Sequence, residues 1–315
     1  MSGSVDVACV GILVADVIAR PVEELPERGT LALVEEITLR GGGCAVNAAS
    51  VLARLGLAAS VAGKVGADPF GAFLLRLLDE REVERGAVLE DERLATSATV
   101  VLVAPDGERT FLHLPGANAG LRLEELERTA VLGARALHLA GSLVMPELDG
   151  DPSAQLLSEA KERGLVTSLD TVWDATGRWQ RVLPCLPHVD LFAPNLAEAR
   201  AISREHEPAR VAAWLREQGV GEVAVTMGGE GCYASGEGLE GWIPPLAVEP
   251  VDGTGSGDAF SAGLLYGKLA GWTFEESARF ANAAGALATT ATGAVEGVRD
   301  LTHTLAFAGL KAAAS

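Results

Sequence analysis

Val251-Asp-Gly-Thr-Gly-Ser-Gly-Asp-Ala-Phe-Ser-Ala-Gly-Leu-Leu-Tyr-Gly267 is the stretch from which the rest of the chain is read. Gly253, Gly255 and Gly257 leave the backbone bare over a short span, and the run from Ala259 to Ala270 predicts a helix. Such a loop can aim several amide N–H groups at one anion, and the helix that follows adds its positive N-terminal end. Asp258 stands at the junction, a carboxylate beside amides able to stabilise charge that develops in a transfer reaction. The pairing points to phosphoryl transfer with an acid–base residue. The same glycines also serve a tight turn and a close helix contact, so the stretch alone leaves both readings open. A dinucleotide fingerprint fits poorly, because it follows the first strand of its unit and uses another glycine spacing. A Walker A loop is absent: Lys64 and Lys268 each follow a glycine, but neither precedes Ser or Thr.

Working outward, the 315 residues can bury a sizeable core, and no apolar run reaches membrane-spanning length. The N-terminus, Met-Ser-Gly-Ser-Val-Asp, has no basic patch followed by an apolar core, so no signal peptide is expected. Cys9, Cys44, Cys185 and Cys232 are scattered without paired spacing, which argues against a zinc site or a disulfide framework and for a reducing cytoplasm. A net charge of −18 argues against a nucleic-acid partner. An anionic ligand must then be held locally, by amides, a metal or a few arginines.

Val5 to Leu13 reads as a buried strand, and Asp16 lies just past its end, where open α/β sheets bind ligands. Leu31 to Leu39 reads as a half-exposed strand. Arg40-Gly-Gly-Gly-Cys-Ala-Val-Asn47 follows it and leads into a helix to about Leu55. Gly42 and Gly43 permit close approach of a ligand, and Asn47 offers a donor and an acceptor to hydroxyls, although a turn and helix start need no more. Asp68-Pro69 opens a further helix. Thr96 to Val103 and Arg109 to Leu114 flank Pro105-Asp-Gly107 as an antiparallel hairpin, which with the strand at 31–39 forms a small sheet over the site.

Beyond Arg122, helices near 122–131, 153–163 and 207–218 alternate with strands at 136–143, 166–170, 189–193 and 222–227. That alternation predicts one α/β unit over 1–315, a doubly wound, mainly parallel sheet flanked by helices, with small-sheet segments at about 14–40 and 96–115 inserted in it. Asn195 and Glu198 follow a strand end at a spacing that places them on one face of a starting helix, and oxygen ligands of this kind suit magnesium. Thr226-Met-Gly228-Gly-Glu-Gly231 offers a hydroxyl and a flexible backbone to phosphates, or simply a β-turn.

Taken in this order, Gly42-Gly-Cys-Ala-Val-Asn47, Asn195-Leu-Ala-Glu198, Thr226 to Gly231 and Asp252-Gly-Thr-Gly-Ser-Gly-Asp258 resemble the ribokinase-like (PfkB) family of carbohydrate kinases. The resemblance spans nearly the whole chain and implies an ATP- and Mg2+-dependent sugar kinase. Asp258 is implied as the base and the amides of Gly255, Ser256 and Gly257 as the anion hole. Asp16, Gly42, Gly43 and Asn47 are implied to bind sugar hydroxyls, and Asn195 and Glu198 to place magnesium through water. Thr226, Gly228, Gly231 and Asn282 are implied for the nucleotide. The resemblance also makes the hairpin at 96–114 a lid that mediates a homodimer, and it relates the Gly116-Ala-Asn118 that follows to ribokinases. Asp252, Thr254, Ala291 and Gly293 match positions that bind a monovalent cation such as K+ in some relatives. Gly297 falls where a serine often completes that site, which counts against potassium activation, and Gly253 departs from the family's usual Thr, Ser, Pro or Val. A free, ribose- or fructose-like sugar is expected first and a nucleoside second. A phosphorylated sugar needs a cationic clamp, for which Arg40 and Arg109 are the obvious residues, and His113 and Trp173 are further substrate contacts to consider. From another class, a non-catalytic sugar- or nucleotide-sensing protein uses the same scaffold, against which the intact Asp258 and glycine loop argue.

Overall fold

The computed structural model describes residues 5–311. Residues 1–4 and 312–315, the two ends of the unit expected over 1–315 and part of the N-terminus read as lacking a signal peptide, lie outside the described residues. No helix of the described residues is long and apolar enough to cross a membrane.

The strands are β1 (Val7–Gly11), β2 (Val14–Arg20), β3 (Glu36–Gly42), β4 (Ala59–Gly66), β5 (Glu84–Asp91), β6 (Ala98–Val103), β7 (Arg109–Leu114), β8 (Ala136–Ser142), β9 (Val166–Thr171), β10 (Leu191–Phe192), β11 (Glu222–Thr226), β12 (Cys232–Gly236) and β13 (Leu239–Ile243). Nine of them form one sheet in the order β13-β12-β11-β10-β9-β8-β1-β4-β5, parallel except for the terminal β11-β12-β13 meander. β1 is buried at every residue, as a central parallel strand covered on both faces must be. Its side chains alternate: Val7 and Cys9 enter one core, with Ala262, Leu265 and Phe280 of the Ser256–Leu269 and Phe274–Ala288 helices. Val10 enters the other, with Leu156 and Leu157 of the Asp151–Glu162 helix and Val211 and Leu215 of the Pro208–Glu217 helix. Strand order reverses at β1, with β4 on one side and β8 on the other. The carboxyl ends of these strands form the crevice in which open α/β sheets bind ligands.

A separate sheet, β3-β2-β6-β7, stands over that crevice. Its register sorts the side chains into two faces. Arg40, Asp16, Thr99 and His113 form one cross-strand row, and Leu39, Val17, Val100 and Leu112 the next. Because strand periodicity is two, the first row faces the crevice and the second faces away.

The structure corrects several sequence boundaries. The strand expected at 31–39 is β3 at 36–42, and 31–34 takes no regular structure. Leu31 and Leu33 are exposed there, so the apolar run from Leu31 to Val34 records no buried face. Asp16, expected just past the end of the first strand, lies within a second strand, β2. The helix expected at 122–131 is a turn of 3-10 helix at Leu123–Glu125 and one α-turn at Arg128–Val131. The buried Lys64 ammonium holds Glu125 at 2.5 Å, Glu125 also accepts the Arg122 amide, and Leu126 leaves helical geometry. β2, β4, β5, β12 and β13 are additional to the strands expected.

Candidate active site

The floor of the site is built from glycine conformations. Gly43 precedes the Cys44–Arg54 helix with φ +91°, and a Cβ there would stand 2.5 Å from the Ile12 carbonyl oxygen. Only glycine lets the helix start this close to the end of β1. That start brings Asn47, on the first turn, to Asp258, which lies on the first turn of the Ser256–Leu269 helix: Asn47 Nδ2 donates to Asp258 Oδ2 at 2.8 Å. Asn118 steadies the opposite wall, its amide group bonding both the N–H and the C=O of Leu13.

Asp258 is almost fully buried, and burial raises its proton affinity against the opposing hydrogen bonds from Asn47 and Cys44. Asp170, at the carboxyl end of β9, lies against it. Cys44, Asp170 and Asp258 each offer a ligand atom within 4.8 Å of the others. Burial, then the charges of Asp258 and Glu198, push the Asp170 carboxyl well up, and burial, then the two carboxylates, push the Cys44 thiol up. Glu198 follows on the same side: Thr171 Oγ1 donates to its Oε2 at 3.0 Å, and burial lifts it to about 7. Three buried carboxyls in one corner is an arrangement stable only with protons or a cation among them. Asp170 Oδ2 is buried and has no protein partner.

The crevice between the two sheets is a cavity of about 1520 Å³. Of the residues singled out in the sequence, it collects Asp16, Gly43, Asn47, Asp252, Thr254, Gly255, Asp258 and Gly293. Arg40, Arg109, His113 and Trp173 line it as well, and Trp173 stands edge-on to Trp179 with ring centroids 5.1 Å apart. Gly42 lies beneath Asp16, where a Cβ would fall 2.3 Å from its Oδ2. Asn195, Glu198, Thr226, Gly228, Gly231 and Asn282 do not line the cavity, nor do Ser256, Gly257 or Ala291. Asn195 caps the Leu196–Ser203 helix, its Oδ1 accepting the Glu198 amide at 2.9 Å, and pairs by backbone with Thr226. Asn282 Nδ2 donates to the Pro244 carbonyl at 3.1 Å, beside the turn into which Gly231 packs against Ile243. Thr226, Gly228, Gly231 and Asn282 form a second cluster at the carboxyl ends of β11 and β13, whereas Glu198 belongs to the corner of Asp170.

Arg109, one of two candidates for the clamp that a phosphorylated sugar needs, has its guanidinium committed elsewhere. Nη2 meets Asp252 Oδ1 at 2.8 Å and Nη1 meets Thr254 Oγ1 at 2.6 Å. The Asp252 and Thr254 side chains, at two of the four positions related to a monovalent-cation site, therefore already hold a protein cation, whose charge does not suit a K+ ion beside it. Asp170 and Cys44 are not among the site residues read from the sequence. Asp170 had a usable signal, a carboxylate ending a parallel strand, whereas the contact of Cys44 with Asp258 spans more than 200 residues and has none.

A match to the description "pfkB family carbohydrate kinase" runs over residues 5–301. The chain belongs to the PfkB family of carbohydrate kinases. Within that family it is 29% identical over 282 residues to a fructokinase of Vibrio alginolyticus, covering 85% of this chain and 91% of the relative. It superposes on a ribokinase of Arabidopsis thaliana complexed with ribose and ATP with TM-score 0.83 and 25% identity, over 98% of this chain and 100% of the other. A putative ribokinase II of E. coli in complex with ATP and Mg2+ gives TM-score 0.82 at 22% identity, over 96% of this chain and 98% of that one. The ribokinase-like fold expected from the sequence, a large mainly parallel sheet with a separate small sheet, is the one found.

Asp16 permits a test of site electrostatics. Burial lifts its carboxyl from 3.8 to about 6 against the pull of the Thr99 hydroxyl. The folded chain therefore binds this proton more tightly than the unfolded one. The resulting stability is full below about pH 4 and is lost as pH rises through about 6. In thermal melts, the Tm of the natural chain relative to Asp16→Asn is expected to increase as the pH is lowered from about 7 to about 4.5. A pH-independent difference refutes the burial effect.

Proposed function

We propose that the protein transfers the γ-phosphoryl group of ATP to a hydroxyl of a free sugar of ribose or fructose size. The observation that carries this reading is Asp258. It is a buried carboxylate of raised proton affinity, held by Asn47 on the first turn of a helix and open to a cavity whose roof presents Asp16. In the proposed step the acceptor hydroxyl oxygen forms the new P–O bond, the bond from the γ-phosphorus to ADP breaks, and the hydroxyl proton passes to Asp258. An ordinary Asp, with a pKa of about 3.9, is a weak base toward an alcohol; burial makes this one stronger. Asp16 and Asn47 orient the sugar, and the amides of Gly255, Ser256 and Gly257 stabilise charge on the transferring group.

The nucleotide is assigned to the cluster of Thr226, Gly228, Gly231 and Asn282 at the ends of β11 and β13. Magnesium fits the corner of Asp170 and Glu198, where crowded carboxyls and an unpartnered oxygen call for positive charge. Glu198 would hold it through water, with Asn195 fixing the helix start, and the ion would neutralise phosphate charge. A free sugar is favoured over a sugar phosphate because Arg109 is bound to Asp252, which leaves Arg40 alone of the two clamp arginines. Trp173, 56% exposed on the cavity wall, offers a stacking face and supports a nucleoside as the second reading. ATP consumption across free sugars, nucleosides and sugar phosphates tests the assignment: turnover with free pentoses or hexoses is expected, and sugar binding without turnover on any of the panel overturns it.

The whole chain acts as one kinase unit in which the small sheet is the lid. Its outer face carries Ile37, Leu39, Val100, Leu112 and Leu114, between 36% and 67% exposed, a continuous apolar surface that a monomer leaves in water. A second copy of the chain covers it in this reading. Leu112→Asp is expected to convert a dimer to a monomer in light scattering, and equal masses for both proteins dispose of the interface. Its compartment is taken to be the cytoplasm, in keeping with four free thiols.

A further inference from the structure

Among the described residues, one ion pair joins the small sheet to the rest of the chain, Arg109 with Asp252. Arg109 opens β7, at the end of the strand remote from Pro115, where the chain leaves the small sheet. Asp252 opens the loop that ends in Gly255-Ser256-Gly257-Asp258. Its carboxylate is 6% exposed and fully engaged: Oδ1 accepts the Thr254 amide at 2.9 Å and Arg109, and Oδ2 accepts the Gly293 amide at 3.2 Å. The loop at 289–300 that carries Gly293 is pinned from below, where Arg54 Nη1 bonds the carbonyls of Val295 and Val298 and Arg54 and Arg81 share Glu296. Arg109 thus reaches from the small sheet to loops that are held from below by other residues.

Charge gives this contact a second role. A buried anion at Asp252 stands three residues before the amides assigned to the transferring phosphate. Without a counter-charge it repels that phosphate and leaves the loop without its organising centre. A free monovalent cation could serve, but the guanidinium already holds Asp252 Oδ1 and Thr254 Oγ1, and its charge repels a second cation there.

We propose that Arg109 is a positioning residue that acts as a built-in monovalent cation. It shapes the anion-binding loop when the small sheet closes and makes turnover independent of K+. This rests on the kinase reading above and adds to it a mode of control. Charge compensation and closure become one event, because the cation arrives on the closing sheet.

The test compares the natural chain with Arg109→Ala and Arg109→Lys, using a sugar that the panel identifies, in potassium, sodium and tetramethylammonium buffers. The natural chain is expected to turn over at the same rate in all three. Arg109→Ala is expected to lose about tenfold or more in kcat in tetramethylammonium, with part of the loss restored by potassium or guanidinium, and Arg109→Lys to fall between. A purely structural role predicts no such rescue. A potassium requirement in the natural chain, or undiminished turnover of Arg109→Ala, overturns the inference. Hydrogen–deuterium exchange of the sugar-free proteins supplies a readout free of activity. Exchange at 252–258 and 290–295 should quicken in Arg109→Ala and slow again with potassium in that variant alone. If no substrate is turned over, the kinase reading fails and exchange still decides this one; unchanged exchange in Arg109→Ala defeats it while the kinase reading stands.

Discussion

Asp258→Asn is expected to lower kcat by about 10²–10⁴-fold, the usual contribution of a positioned general base, while sugar affinity measured by calorimetry changes little. The substitution keeps shape and volume and removes the proton acceptor. Asn47 can still bond the remaining amide oxygen, so the first turns of the two helices stay in register. Stability gives the control. Asp258 shares a buried corner with Asp170 and Glu198, and burial disfavours its charge, so the neutral Asn should leave Tm unchanged or raise it. A variant that folds, binds sugar and turns over at the natural rate would remove Asp258 from the chemistry.

Gly255→Ala is the second large effect. Gly255 has φ +74°, and a Cβ there would stand 2.2 Å from the Ala294 carbonyl oxygen and 2.7 Å from the Ala294 methyl. Left-handed geometry alone costs an L-residue about 1–2 kcal/mol, and the clash adds backbone movement in a loop whose work is alignment. Misplacement by about 1 Å at such a site costs on the order of 10²-fold, so kcat should fall by about that much, with a lowered Tm. Gly253→Ala is the matched comparison. Nothing lies within 4 Å of a Cβ at Gly253, and its φ is not positive, so fold and turnover should persist. The departure from the family pattern at this position is open space. Equal behaviour of the two variants would show that the geometry of Gly255 is immaterial.

Legibility from sequence varied with the range of the interaction. Strand β1, the Cys44–Arg54 helix and the hairpin of β6 and β7 were readable because apolar runs, caps and turn residues act over a few positions. β2 was missed because Val14 to Arg20 carries a cavity-facing Asp and an exposed Arg, so its pattern mixes signs that only its neighbours in the small sheet resolve. The meander of β12 and β13 was missed because it follows a glycine loop that already had a reading. At the site, Asp258, Asn47 and Asp16 were found from motifs. Arg109 was only a candidate for a clamp on a phosphorylated sugar, and its partner was illegible, since nothing local tells an arginine which carboxylate it will meet 143 residues away.

By itself the sequence determined the alternation of strands and helices, the glycine loop before Asp258 and the local chemistry of each motif, because these depend on neighbours in the chain. Tertiary structure alone decided which motifs share a cavity and which form the separate cluster at β11 and β13. It also placed Asp170 and Cys44 against Asp258 and set Arg109 on Asp252. Those outcomes follow from strand order and from the register of the small sheet, which fix the direction and burial of side chains far apart in sequence. Burial in turn sets the proton affinity of Asp258, and with it the chemistry proposed for the loop.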